Sequence, residues 1–288
     1  MTVAVRLFAW GGMGLSMLTS GCAATGTRSA GESADAPLLA CRLANYGKYE
    51  DTGWAHLHSM GIKHVFISVP TAGQVDKVEQ KLAQYGLDAV VMRGSTDLSK
   101  ESSVEELAGQ MAMCRRMRVK YMFLSAKLNG ADRKVVYDRL RRAGDVAREN
   151  GVTIVLETHP ELGTNADVHS ETMRAINHPN VRVNFDTGNV TYYNRGTTAL
   201  AELKKIVDYV ATVEIKDHNG EFETWNFPAF GKGVVDIAGV LRVLQEHGYH
   251  GPITIEIEGV KGQDRSEARI RKDLEDSVAY LRSIQSFR

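Results

Sequence analysis

The chain has no excess of charge of either sign. Its 288 residues carry 35 Lys and Arg against 35 Asp and Glu. No global field exists to draw in nucleic acid or an anionic membrane surface, although local basic patches stay open. Cysteine is scarce, with three in the chain. Cys22 lies near the N-terminus, Cys41 in the first apolar run and Cys114 in a helix-like segment, which excludes a disulfide framework. Sequence leaves open whether Cys41 and Cys114 pair; small residues of this kind are usually buried. Long apolar runs are also missing. The nearest candidate, "LFAWGGMGLSML" after Arg6, is too short and too glycine-rich for a transmembrane helix. Finally, no glycine-rich phosphate fingerprint follows the first strand-like run, where "ANYGKYED" stands instead.

That N-terminal stretch has the parts of an export signal: a positive charge, an apolar core and small residues before a cut site. "LTSGC" resembles a bacterial lipobox, with Leu18 four residues before the cysteine instead of three. The resemblance implies a signal peptide over 1–21, a lipid on Cys22 as the only membrane contact, and an exported protein facing the periplasm or cell surface. An ordinary secretory signal is the alternative. Residues 22–36 are small and polar without apolar period, as in a flexible tether.

From Pro37 to the end, short β-branched runs alternate with longer helical patterns. Strand-like runs occupy 38–43, 64–69, 88–92, 121–125, 152–157, 181–186, 210–216 and 252–258. Helical patterns occupy 51–60, 74–85, 103–117, 133–150, 197–208, 236–247 and 267–284. Gly61, Gly86, Gly151 and Gly248 stand where helices must stop in a left-handed cap. Eight such units in about 250 residues predict an α/β fold, a (β/α)8 TIM barrel over 37–288. An open doubly wound sheet shares the alternation but calls for the missing glycine fingerprint.

In such a barrel, functional side chains sit at the C-terminal ends of the strands. Those ends carry Glu157, Asp186, Glu214 with Lys216, and Glu256 with Glu258. Residues two apart on a strand share a face, so Glu214 and Lys216 point together, as do Glu256 and Glu258. Each acid alone could be a solvated strand end, and Asp186 in "DTGN" could simply form a turn. Together, converging carboxylates resist ionisation unless a cation sits among them. Oxygen ligands suit one divalent ion, Mg²⁺ or Mn²⁺.

"IVLETHPELGTN", "VRVNFDTGN", "VEIKDH", "FPAFGKG" and "GYHGPITIEIEG", in this order, resemble the sugar isomerase/epimerase superfamily with a xylose isomerase-like barrel. Its members include ketose 3-epimerases, inosose dehydratases and the endonuclease IV type of DNA repair enzyme. The resemblance spans about 38–285. It implies metal ligands at Glu157, Asp186 and Glu256, and a histidine at the position that holds Glu214 here. Glu214 itself, or an imidazole from His218 or His159, is then the fourth ligand, and Co²⁺ or Zn²⁺ stays open beside Mn²⁺ and Mg²⁺. It further implies Glu157 and Glu256 as proton-transfer groups, and a metal-dependent isomerase or epimerase working through an enediolate. Lys216 would steady an oxyanion or pair with Glu214 or Asp217. His159 would act in acid–base transfer or hold its loop. Asn189, His218, Trp225 and Lys127 are weaker candidates for substrate contact. The expected partner is a non-phosphorylated sugar or keto-sugar; no nucleic-acid partner is expected, and a homo-oligomer is left open. The alternatives are a lyase or hydratase on 3-keto-glycosides, a non-catalytic sugar-binding lipoprotein and, least supported, an endonuclease IV-type nuclease.

Overall fold

A computed structural model describes residues 36–288. The expected signal peptide, Cys22 and all of the tether but Ala36 lie outside these described residues. Eight parallel strands close a barrel: β1 (Leu38–Arg42), β2 (His64–Ser68), β3 (Asp88–Arg93), β4 (Tyr121–Leu124), β5 (Thr153–Glu157), β6 (Val181–Asp186), β7 (Val210–Ile215) and β9 (Pro252–Ile255). Closure is between β9 and β1, where Leu39 lies opposite Ile253 and Cys41 opposite Ile255. Between and after the strands run α1 (Glu50–Ser59), α2 (Val75–Tyr85), α3 (Ser103–Arg116), α4 (Arg133–Asn150), α5 (Ala166–Ile176), α6 (Thr187–Tyr193), α7 (Ala199–Ile206), α8 (Ile237–Glu246) and α9 (Glu267–Ile284). Two short strands, β8 (Asn226–Phe227) and β10 (Gly259–Val260), pair antiparallel as a separate ribbon. Among the described residues, no helix is long and apolar enough to cross a membrane.

The strand alternation sorts side chains into two cores. Odd-numbered residues of β1 and β6, such as Leu39, Cys41, Val183 and Phe185, pack outward against the helices. Inside the barrel, Phe66, Val91, Phe123 and Val155 form a small apolar plug, with the Phe66 and Phe123 rings 5.2 Å apart. The guanidinium of Arg42 lies over both rings, at 4.9 and 5.3 Å. Above that plug the barrel interior turns polar. Cys41 and Cys114 are both buried free thiols, so they do not pair.

The helix termini follow local chemistry. Gly86 and Gly151 end α2 and α4 in the left-handed conformation. Asn165 caps α5 by accepting from Val168 N–H. One turn into α5, His169 is buried, and its Nε2 lies 3.4 Å from Thr158 Oγ1 at the end of β5. Burial pushes this imidazole down to about 3 from an ordinary 6.5.

The fold therefore holds His169 neutral, whereas the unfolded chain protonates it below about 6.5. A base depressed by folding stabilises fully above its unfolded value, and that contribution is lost as pH falls from about 6.5 toward about 3. Compared with His169→Gln, the wild-type chain should lose about 2 kcal/mol more unfolding free energy between pH 6.5 and pH 5. Urea transitions at both pH values measure this, and parallel losses in the two proteins would contradict it.

Candidate active site

The inward faces of β1, β6, β7 and the segment after β9 meet at one end of the barrel. Asp186 lies opposite Glu214 in the β6–β7 register, with Asn184 opposite Thr212 one step deeper. Thr212 Oγ1 donates to Asn184 Oδ1 at 2.6 Å, and Asn184 Nδ2 donates to Glu214 Oε2 at 2.9 Å. The other oxygen of Glu214 accepts from Arg42 Nη1 at 3.0 Å. The same Arg42 nitrogen also pairs with Glu256 Oε1. Arg42 is thus a buried cation bridging two buried acids, one from β7 and one from just after the end of β9. It is the principal site residue that the sequence reading missed. A charged residue amid the apolar run "LLACRL", on the inward-facing parity, is the signal that was available.

Lys216 is the second buried cation. Its Nζ lies 3.0 Å from Asp186 Oδ2, 2.8 Å from Glu256 Oε2 and 3.0 Å from Glu258 Oε2. It also donates to Asn189 Oδ1 at 3.1 Å. The expected partners Glu214 and Asp217 are not among these contacts. Lys216 comes close because residue 188 is glycine: a Cβ there would stand 2.7 Å from Lys216 Cγ. Asp186 serves two ends at once. Its Oδ1 caps α6 by accepting from Gly188 and Asn189 N–H, while Oδ2 faces the lysine. The turn-forming and site-forming readings of Asp186 both hold.

Asn189 joins this pair to the fifth strand. Its Nδ2 donates to Thr158 O at 3.0 Å and reaches Glu157 Oε1 at 3.4 Å. One oxygen each from Glu157, Asp186 and Glu214 lies within 4.8 Å of the others, a spacing that a small ion could gather. Glu256, also expected as a ligand, sits instead with the two side-chain cations.

Five carboxylates face two cations, and the imbalance is local. Burial pushes Glu256 up, but Lys216 and Arg42 outweigh it and hold this carboxyl down at about 2. Asp186 goes the other way. Burial raises it to about 7, with Lys216 opposing and Glu256 adding to the rise. Burial and then Glu256 push Glu214 well up despite Arg42. Asp186 Oδ2 and Glu256 Oε2 are also buried acceptors that no hydrogen bond of good geometry satisfies, although both lie close to Lys216 Nζ. The positive charge still missing is therefore missing beside Asp186 and Glu214, two of the three triad members. A divalent cation fits this donor set by charge and by oxygen chemistry.

The remaining candidates separate. Asp217 builds the long loop after β7: its carboxylate accepts from the N–H groups of His218, Gly231, Gly233 and Val235, at 2.9, 2.9, 2.8 and 3.2 Å. A Cβ on residue 233 would stand 2.2 Å from Asp217 Oδ1, which is why "FGKG" needs its second glycine. His218 is wholly committed to the same loop. Its Nε2 bonds Thr224 O at 2.9 Å, and its Nδ1 meets Thr191 Oγ1 at 2.8 Å and Gly220 N–H at 3.1 Å. The expectation of a ligating or substrate-binding His218 is corrected accordingly, since neither ring nitrogen is left over. His159 is half-buried beside Glu157, edge-on to Tyr193 at 5.0 Å. Trp225 is 43% exposed. Lys127 is an exposed residue in the loop after β4 with no contact to the acids.

Removing one partner of a buried ion pair leaves a charge without compensation. Arg42→Met should lower unfolding free energy by about 3–5 kcal/mol at neutral pH. Arg42→Met with Glu214→Met should recover much of this, because the deserted acid goes with its partner. Urea denaturation of the two variants decides it; simple addition of two losses would show that the pair does not act as a unit.

Comparison with known proteins agrees with this fold. The family described as Xylose isomerase-like TIM barrel matches residues 54–284. An inosose dehydratase of Serratia proteamaculans is 26% identical over 140 residues, 43% of this chain and 47% of that protein. One of Erwinia tasmaniensis is 30% identical over 132 residues, 39% and 43% of the two chains. The matches thus cover about half the length of these curated relatives. A xylose isomerase domain protein of Planctomyces limnophilus superposes with a TM-score of 0.70 at 20% identity, covering 86% of this chain and 97% of the other. A D-allulose 3-epimerase of Methylomonas, solved with D-allulose, gives 0.67 at 16% over 87% and 98%. A barrel protein of Mycobacterium smegmatis, solved with magnesium, gives 0.69 at 16% over 86% and 97%. With more than three quarters of its length matched by the family, the chain belongs to the Xylose isomerase-like TIM barrels.

Proposed function

We propose that this protein is a sugar-modifying enzyme that moves a proton at a carbon beside a carbonyl, with one divalent cation, Mg²⁺ or Mn²⁺, held by Glu157, Asp186 and Glu214. The observation that carries the reading is the local charge deficit at Asp186 and Glu214 within a triad of facing oxygens. When bound, the cation polarises the carbonyl and acidifies the neighbouring C–H. The chain's own residues supply the rest. Glu256, kept ionised by Lys216 and Arg42, is the acceptor assigned to the proton; held down at about 2 it is a weak base, so its ion pairs must loosen as it accepts. Glu157, partly open to solvent and steadied by Asn189, is placed to return a proton or to protonate a departing hydroxyl. Lys216, buried and surrounded by acceptors, acts as a positioning cation that keeps Glu256 ionised and opposes, without overcoming, the rise at Asp186. His159, two residues after Glu157, is the candidate to bind a substrate hydroxyl.

The mouth's negative balance opposes phosphate groups, which favours a neutral sugar or keto-sugar and weighs against a nuclease. Export by the N-terminal signal would give the protein such sugars as substrates. Two outcomes share the first step: epimerisation or isomerisation, supported by the ketose 3-epimerase neighbours, and elimination, supported by the inosose dehydratase relatives.

Proton exchange tests the shared step. With Mn²⁺ or Mg²⁺ present, sugars and keto-sugars incubated in D₂O should gain deuterium, or lose water, at least 100-fold faster with the wild-type chain than with Glu157→Gln. The rate should fall away after chelation and return with added metal. Binding of sugar without any exchange would convert the reading to a non-catalytic sugar-binding protein.

A further inference from the structure

We propose that the sugar site continues outward into a second subsite, built on Trp225, which holds the next ring of a glycosidically linked substrate. This deepens the reading above and rests on it. The observation is a chain of aromatic rings leading away from Glu157. His159, two residues from Glu157, meets the Tyr193 ring at 5.0 Å; Tyr193 meets Tyr192 at 4.8 Å; Tyr192 meets Trp225 at 6.2 Å. Exposure rises along this path, from half-buried tyrosines to an exposed indole.

Trp225 is held in place rather than left loose. Its carbonyl accepts from Lys261 N–H at 2.9 Å, at the end of the β8–β10 ribbon. Its ring rests edge-on against buried Phe227 at 5.3 Å. A fixed indole of this exposure offers apolar area that a ligand's apolar face can cover. Beside it opens a cavity of about 650 Å³, bordered by Tyr192, Glu223, Asn226 and Lys261 as well as Trp225.

The chemistry of that border selects the ligand class. Aromatic faces receive the apolar C–H face of a sugar ring, while a carboxylate, an amide and an ammonium around it suit hydroxyls. A plain aryl group would leave those polar groups without partners. Glu223 is fixed there in a left-handed backbone conformation, φ 52°, rarely adopted by a residue with a side chain, with its N–H bonded to Tyr192 O at 2.9 Å. The substrate class that fits is a disaccharide or sugar glycoside, with one ring at the carboxylates and the next on Trp225.

Binding tests this without turnover. Trp10, Trp54 and Trp225 are the chain's tryptophans and all can emit, so the part of the emission change that is lost in Trp225→Ala reports on Trp225. The full chain is titrated with cellobiose, maltose and sucrose, with glucose and fructose, and with p-nitrophenyl glucoside, by fluorescence and by calorimetry. At least one disaccharide should bind ten-fold or more tighter than its component sugars and perturb the indole emission. Calorimetry with Trp225→Ala should show that preference gone and monosaccharide affinity kept, and Trp225→Phe should retain part of it. Equal affinity for one and two rings, an unchanged preference in Trp225→Ala, or preference for the aryl glycoside over every disaccharide overturns the subsite. Following D₂O exchange in the wild-type chain with the same sugars separates the two readings, because a disaccharide preference without any exchange there keeps the subsite and retires the chemistry.

Discussion

Everything at the mouth of this barrel depends on how buried negative charge is balanced. Arg42 and Lys216 between them hold Glu214, Glu256, Asp186 and Glu258, and each cation is itself buried. Neither could remain charged in that place without acids around it, and the acids could not remain charged without them. The balance is incomplete: two cations hold Glu256 ionised but leave Asp186 and Glu214 raised. The proposed roles rest on that asymmetry: Glu256 for the proton, Asp186 and Glu214 for a cation.

The rest of the architecture serves to keep these groups in register. Parallel pairing places Asp186 beside Glu214, and Asn184 ties the latter to the barrel floor. The first turn of α6 fixes Asp186 through its own backbone amides and brings Asn189 between Glu157 and Lys216. Asp217 gathers four backbone N–H groups and so folds the loop that carries the aromatic rim. Arg42 rests on Phe66 and Phe123, so the apolar plug inside the barrel also supports the charged layer above it.

Much of this was legible in the sequence where residue type and strand position coincide. Strand periodicity located all eight barrel strands, and it put Glu157, Asp186, Glu214 and Glu256 at one rim, where they are found. Arg42 escaped because its environment is made by β7 and by the turn after β9, more than 170 positions away. A single arginine at the end of an apolar run looks like an ordinary strand end. His218 was overweighted for the converse reason: an imidazole next to "IKD" suggests a ligand, but local backbone groups take both nitrogens before any site can. The β8–β10 ribbon consists of two-residue strands, too short for any periodicity to announce.

The central claim is that the missing charge at this mouth is one divalent ion's worth, located at Asp186. Titrating the metal-stripped full chain with Mn²⁺, and following free ion by electron paramagnetic resonance, tests it most directly. The account predicts one tight site per chain in the wild-type protein, lost in Asp186→Asn and kept in Glu258→Gln. No saturable site in the wild type, or a site indifferent to Asp186→Asn, would contradict it.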